Sequence, residues 1–309
     1  MVRTFPLLFV VLWASAFITS KVIVTSASPF AALGFRFALV SLGFLAFALV
    51  MRDWVRHRFF DILEAGATGI LFHGFYLGGV FFAISRGMPA GMAALLVSLQ
   101  PVLTGALAGP VLGEKVTWRQ WLGIALGFGG AAMVLGLDIG TGFPLIAFLS
   151  AMTGLLAVTA GTLWQKKLSG KLPLSVSNFY QALAACLFHL LVMALLETPF
   201  IHFTPAFIYA MGWQILAVSF GAFTILMYLI KIGSASRTAT LFFLVPPVSA
   251  VMGCLFLGEL LTRLDIIGLV TATIGVYIAT SSPSANRAQN VLTSPVACAD
   301  TFSNAILIF

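Results

Sequence analysis

An arginine sits alone inside an apolar stretch. Arg36 lies in GFRFAL, Gly34–Leu39, and no Asp or Glu falls in the middle of any long apolar run of the chain. A charge inside an apolar helix costs about 2.5–3.5 kcal/mol on insertion scales and is a functional hypothesis by default. The guanidinium fork can hold a carboxylate through two parallel N–H···O bonds. Two readings stay open: a substrate carboxylate supplies the missing anion, or Arg36 snorkels to headgroups and helix carbonyls. Other polar groups in apolar runs extend the candidate substrate-binding set. Gln100 and Ser98 precede Pro101, and His73 stands one helical turn from Tyr76. His73 titrates near neutral pH, so it either relays a proton, bonds substrate or is a satisfied structural histidine. Trp13 and Phe17 are four residues apart on one helix face. Tyr76 and Trp13 carry polar tips that want partners when buried. Trp164 and Tyr228 join the set, with interfacial anchoring as the plainer reading. Gln181 completes it.

Other chemistry is missing from these runs. No HExxH motif, paired carboxylates or nucleophile–base pair lies within them, and no GxxxxGK[ST] phosphate loop is present. Cys186, Cys254 and Cys298 are scattered, without metal or redox spacing. The expectation is a protein that is not an enzyme, takes no cofactor or metal, and does not draw on ATP within this chain. A channel would want a repeated polar lining along one helix, and only isolated polar residues occur.

The elements that position these residues follow from composition. Of 309 residues, 61% are hydrophobic and 8% charged, against about 25% charged in soluble domains. The chain is therefore expected to be an all-α integral membrane protein whose partner is the lipid bilayer, and the net charge of +7 bears on topology rather than nucleic acid. Runs of about twenty apolar residues, enough to cross roughly 30 Å of hydrocarbon, predict ten spans. They are Phe5–Val24, Phe30–Met51, Ile62–Ser85, Ala90–Leu112 and Thr117–Leu137, then Phe143–Leu168, Leu174–Glu197, Pro205–Ile232, Ala235–Leu257 and Thr262–Thr280. Met1–Ser20 reads as part of the first helix rather than a leader. Asp138–Gly142 makes a polar joint, and residues 282–309 read as a flexible tail.

Lys and Arg are distributed unevenly. With the N-terminus inside, Arg3, Arg52, Arg56, Arg58, Lys115, Arg119, Lys166, Lys167, Lys171, Lys231, Arg237 and Arg287 face the cytoplasm, while Lys21, Arg86 and Arg263 face out. Both termini are thus expected in the cytoplasm of a multi-pass protein of the bacterial inner membrane.

The chain also contains itself twice. A shift of 145 positions carries Pro101 to Pro246, Gly113 to Gly258, Glu114 to Glu259, Thr117 to Thr262, Gly123 to Gly268 and Gly130 to Gly275. Such register marks a duplicated unit. The boundaries are 1–138 and 143–281. Five spans per copy is an odd number, so the copies are expected as an inverted repeat about an axis in the membrane plane. Proline weakens the helix ladder, and matched breaks in two halves point to a transporter's binding site. Pro101, Pro246 and Pro247 are candidate gate or hinge positions. Glu114 and Glu259 suit either alternating gates or ordinary helix ends. The same shift sets Arg36 against Gln181, and Gln100 against Val245.

The segments PVLTGALAGPVLGEKVTWRQWLG (Pro101–Gly123) and PPVSAVMGCLFLGELLTRLDIIG (Pro246–Gly268), with LWASAFITSKVI (Leu12–Ile23) and GFRFAL, resemble the EamA family of the drug/metabolite transporter superfamily. The resemblance runs from Phe5 to about Ser281. It implies secondary active export of small polar or amphipathic metabolites by alternating access, with amino acids and their derivatives a frequent class; aromatic amino acid exporters belong to the same group. It leaves open a nucleotide-sugar, sugar-phosphate or lipid carrier and a multidrug or amine exporter. Proton coupling stays open beside exchange and uniport, and a monomer or weak dimer is expected.

Overall fold

The computed structural model describes residues 4–54, 57–88, 93, 96–135, 144–257 and 263–280. Glu259, the joint at 138–142 and the tail 282–309 lie outside the described residues. Among the described residues the chain forms helices and turns, with two isolated β-bridges. The helices are α1 (Phe5–Val24), α2 (Pro29–Val50), α3 (Phe59–Ser85), α4 (Gln100–Leu112), α5 (Trp118–Leu135), α6 (Leu145–Leu168), α7 (Leu174–Leu196), α8 (Pro205–Ile232), α9 (Ala235–Thr240 continuing through Leu241–Leu244 to Val245–Leu257) and α10 (Arg263–Thr280). Six of them, α1, α2, α3, α6, α7 and α8, are long and apolar enough to cross a membrane. Their outer faces expose Leu42, Leu191, Leu195 and Leu216, as a helix against lipid does. The all-helical expectation holds, and the chain is a multi-pass membrane protein.

Breaks fall at matched places in the two repeats. In α3 the residues Ile70–Phe75 form a π-helical segment, and in α8 Gln214–Ala222 do. The shift of 145 carries 70–75 onto 215–220. A π segment inside an α-helix commonly marks a functional site. The proline positions match too. Ser98 and Leu99 form a turn ahead of Gln100-Pro101, while Leu241–Leu244 tighten to a 3₁₀ turn ahead of Val245-Pro246-Pro247. Proline has no N–H to continue the ladder, so the backbone ahead of it is free to change pitch.

The strongest packing runs between the repeats rather than within them: α5 lies along α10, α2 along α7, α3 along α6 and α1 along α8 and α9. The α5–α10 contact is made by glycines. A Cβ on Gly123 would come 2.5 Å from the Gly275 carbonyl oxygen, and one on Gly130 2.6 Å from that of Gly268. These two contacts exchange under the repeat shift. Bare backbones approach closely there, which is how helices associate where no hydrophobic drive separates them from lipid.

Carboxylates fasten α2 to α7 at both ends. Glu197, after α7, accepts from the N–H groups of Phe30 (3.1 Å) and Ala31 (3.2 Å) at the start of α2. Asp53, after α2, accepts from the Ser175 hydroxyl at the start of α7. A carboxylate at a helix N-terminus fills orphan N–H groups and meets the positive end of the dipole. The two helices are therefore antiparallel and clamped.

One end of the bundle carries a further latch. The Lys166 ammonium, at the end of α6, donates to the carbonyls of Ile230 (3.0 Å), Lys231 (3.3 Å) and Gly233 past the end of α8. Glu114 accepts from the Ala235 N–H (2.9 Å) and the Ser236 hydroxyl (3.0 Å) at the start of α9. At the opposite end the repeat mate of Lys166 is Lys21. It is exposed, and no such bond to the end of α3 forms among the described residues.

The glycine seam predicts a position-specific stability loss. Gly130→Leu should lower the thermal midpoint of the detergent-purified protein by several degrees, since overpacking costs roughly 1–3 kcal/mol. Gly129→Leu, at a position where an added Cβ meets nothing within 4 Å, should leave it unchanged. Fluorescence-detected size-exclusion after heating reads both.

Candidate functional site

The described helices line a partly open cavity between α1, α2, α3, α7 and α8. Its walls are largely aromatic: Trp13, Phe17, Phe37, Phe44, Tyr76, Phe81 and Phe223 all border it. A smaller cavity lies between α1, α3, the Val97–Ser98 segment ahead of α4, and α9. Trp13, Phe17 and Tyr76 border both and form the partition. Trp13 is held in turn by Phe9 and Phe242, with ring centroids at 5.3 and 5.4 Å.

Arg36 is buried in the wall of the larger cavity, 4% exposed. Its guanidinium donates from Nε (3.0 Å) and Nη2 (2.9 Å) to Ser219 Oγ and from Nη1 to Gln214 Oε1. Gln214 is fixed by its own amide, which donates to the Ala16 carbonyl (3.0 Å), Thr19 Oγ1 (2.9 Å) and Ser20 Oγ (3.0 Å) of α1. The chain of contacts thus runs from α2 through α8 to α1. All these partners are neutral, and no carboxylate pairs with Arg36 among the described residues. Three of its five N–H groups are used, and the positive charge is left without a counter-ion.

The π segment makes this brace possible. Gln214 and Ser219 are five residues apart. In a regular α-helix that spacing puts them well off one face. The wider π turn, with its i→i+5 bonding, returns them to the same side, where one guanidinium reaches both. Neither residue stood out in the sequence, because α-helical periodicity separates them.

His73 lies in the matching π segment of α3, borders the cavity and packs edge-on to Phe223 at 4.2 Å. Its Nδ1 is buried without a partner. Its backbone carbonyl meets His189 Nε2 at 3.1 Å. His189, unpromising in the sequence, is thus a structural support for the π segment, a bond invisible until α7 is laid on α3. Asn178 of α7 also borders the cavity. Its amide nitrogen reaches Thr224 Oγ1 at 3.5 Å, and its buried Oδ1 has no partner. Sequence reasoning missed Asn178 as well; a lone amide in a helix near Gln181 was its only signal.

Of the sequence-derived candidates, Trp13, Phe17, Arg36, His73 and Tyr76 converge on the larger cavity, while Ser98 and Pro246 border the smaller one. Gln100 is fully buried away from both and donates to Thr162 Oγ1 of α6 at 3.0 Å. Gln181 is fully buried too, donating to Gln165 Oε1 (3.1 Å) and Ser177 Oγ (3.0 Å). Trp164 is 42% exposed on the outside of α6. Tyr228 packs edge-on to Phe5 at 5.8 Å. Pro101 opens α4, and Pro247 is buried beside Pro246.

The repeat symmetry explains why the cavity lies on one side. The mates of Arg36 and Gln214 are Gln181 and Gly69. At Gly69 an added Cβ would sit 2.3 Å from the Gln181 carbonyl oxygen, so α3 and α7 touch backbone to backbone. On the other side the Arg36–Gln214 pair stands between α2 and α8 and holds them apart.

The family model for the EamA-like transporter family matches residues 4–136 and 145–281. A probable amino-acid metabolite efflux pump of Salmonella typhimurium is 32% identical over 283 residues, covering 88% of this chain and 92% of that protein. An uncharacterized inner membrane transporter of Escherichia coli K12, YedA, is 24% identical over 282 residues, covering 88% and 90%. A solved crystal structure superposes with a TM-score of 0.75 at 18% identity, over 93% of this chain and 98% of that one, and supports the fold alone. The two matched segments together span the helices that build the cavity: the chain belongs to the EamA-like transporter family.

Proposed function

We propose that this protein exports small amphipathic carboxylates, amino acids and their derivatives foremost, across the bacterial inner membrane by alternating access. The observation that carries the reading is Arg36: a buried cation on the wall of an aromatic cavity, paired with no carboxylate among the described residues. A carboxylate entering there gains a charge-assisted bond in a low-dielectric site. The aromatic walls receive the substrate's apolar part. The larger cavity offers one fixed cation among its lining residues, which suits a single carboxylate better than a diphosphate of a nucleotide sugar. The relatives' names support an amino-acid-related substrate and an inner-membrane location.

The reading completes the topology as ten spans with both termini cytoplasmic. Lys166 and Glu114 then close the cytoplasmic end, and Lys21 stands open at the outer end. In the alternate state Lys21 would take the carbonyls of Ser85, Arg86 and Met88, which the shift of 145 makes equivalent to those now held by Lys166. Closure of one end with its mate released at the other is what an inverted repeat supplies for alternating access.

Two experiments test this. In proteoliposomes loaded with labelled amino acids and their N-acetyl derivatives, at least one class should leave down its gradient without ATP. Arg36→Gln should cut that flux about tenfold or more, since bonds to a charged group are worth roughly 1.5–3 kcal/mol; unchanged flux would remove the carboxylate clamp. For the latch, a cysteine at Thr162 in a background with Cys186, Cys254 and Cys298 changed to Ser should be labelled severalfold faster by an impermeant maleimide from the cytoplasmic side when Lys166→Met is added. Lys21→Met should not accelerate it. Equal labelling in the two variants would count against the latch.

A further inference from the structure

The larger cavity carries a sharper selectivity than its shape alone suggests. Among the described residues its lining includes Arg36 and no Asp or Glu. A monoanion bound there brings the site to neutrality. A zwitterionic amino acid brings an ammonium as well, and no anion in the wall answers it. An ionised group taken from water without an opposite charge costs several kcal/mol even after relaxation. A neutral N–H or O–H that finds an acceptor costs far less.

Such an acceptor is present. Asn178 is 1% exposed, its amide nitrogen is turned to Thr224, and its Oδ1 has no partner. A buried polar atom left unpaired calls for an explanation, and a ligand donor is one. Its position along α8 fits. Arg36 is braced on Ser219, and Asn178 meets α8 at Thr224, five residues farther, or roughly 7.5 Å of rise. Two hydrogen bonds of about 2.9 Å and the two covalent bonds joining a carboxylate carbon to its 2-substituent reach across that separation.

We infer that the site selects monoanionic carboxylates bearing a neutral N–H or O–H donor at the 2-position, namely N-acyl amino acids and 2-hydroxy acids, over the zwitterionic amino acids themselves. Arg36 takes the carboxylate, Asn178 Oδ1 takes the neutral donor, and the aromatic wall takes the apolar side chain. The inference rests on the proposed transport role of the same cavity and names its substrate class.

Efflux of labelled phenylalanine, N-acetylphenylalanine, 3-phenyllactate and 3-phenylpropionate from proteoliposomes of the full chain tests it. N-acetylphenylalanine and 3-phenyllactate should exceed phenylalanine in kcat/KM by tenfold or more, and should exceed 3-phenylpropionate, which lacks the donor, by about tenfold. Asn178→Leu should bring 3-phenyllactate down to the level of 3-phenylpropionate measured in the same variant, with a single symmetric size-exclusion peak of the purified variant showing that it is folded. Phenylalanine moving fastest would overturn the inference and leave the transport reading standing. An undiminished gap between the two acids in Asn178→Leu would overturn the role of Asn178. Flux of none of the four would overturn this substrate class, and if the wider panel of amino acids and derivatives also fails to move, the transport reading falls with it.

Discussion

A guanidinium inside an apolar interior must be satisfied, and the way Arg36 is satisfied shapes the centre of the molecule. Neutral oxygens from α8 hold its N–H groups but leave its charge. Gln214 can serve only because α1 fixes its amide. Ser219 can serve only because α8 widens to a π turn there. Three helices from both repeats are thus tied to one side chain. The same pair keeps α2 and α8 apart and so keeps the cavity open. A carboxylate in place of Gln214 would neutralise the arginine at that position.

Duplication gives the frame its symmetry, and a few residues break it. The glycine contacts of α5 with α10 exchange under the repeat shift, as do the two π segments and the proline breaks. The carboxylate clamps at the ends of α2 and α7 come from near-equivalent places, Asp53 and Glu197. Against this background Gly69 opposite Gln214, and Gln181 opposite Arg36, are the departures that matter. One pair closes backbone on backbone, and the other inserts two long polar side chains.

Much of this was legible in the sequence. The repeat, the proline positions and the helical class follow from residue types and register. Arg36, Trp13, Phe17, His73 and Tyr76 were visible as polar or aromatic residues deep in apolar runs, and they meet at one cavity. What stayed hidden depends on geometry that a one-dimensional pattern does not carry. Gln214 and Ser219 share a face only in a π turn. His189 has its partner on another helix's backbone. Gln100 looked like a cavity residue from its place beside Pro101, yet its amide is turned to Thr162. Its repeat mate Val245, which has no hydrogen-bonding side chain, gave no hint of where a donor at that position would point.

The packing of α5 on α10, α2 on α7 and α3 on α6 also bears on biosynthesis. Helices enter the bilayer in chain order, so each helix of the first repeat is inserted before the surface that will cover it has been made. Until α10 is released, Gly123 and Gly130 of α5 lack the backbone they pack against. The packing of α5 is therefore settled late, once α10, Arg263–Thr280, has been made. A fault near the C-terminal end of the bundle would be felt in helices synthesised long before it, and the first repeat by itself would reach the membrane without reaching its fold.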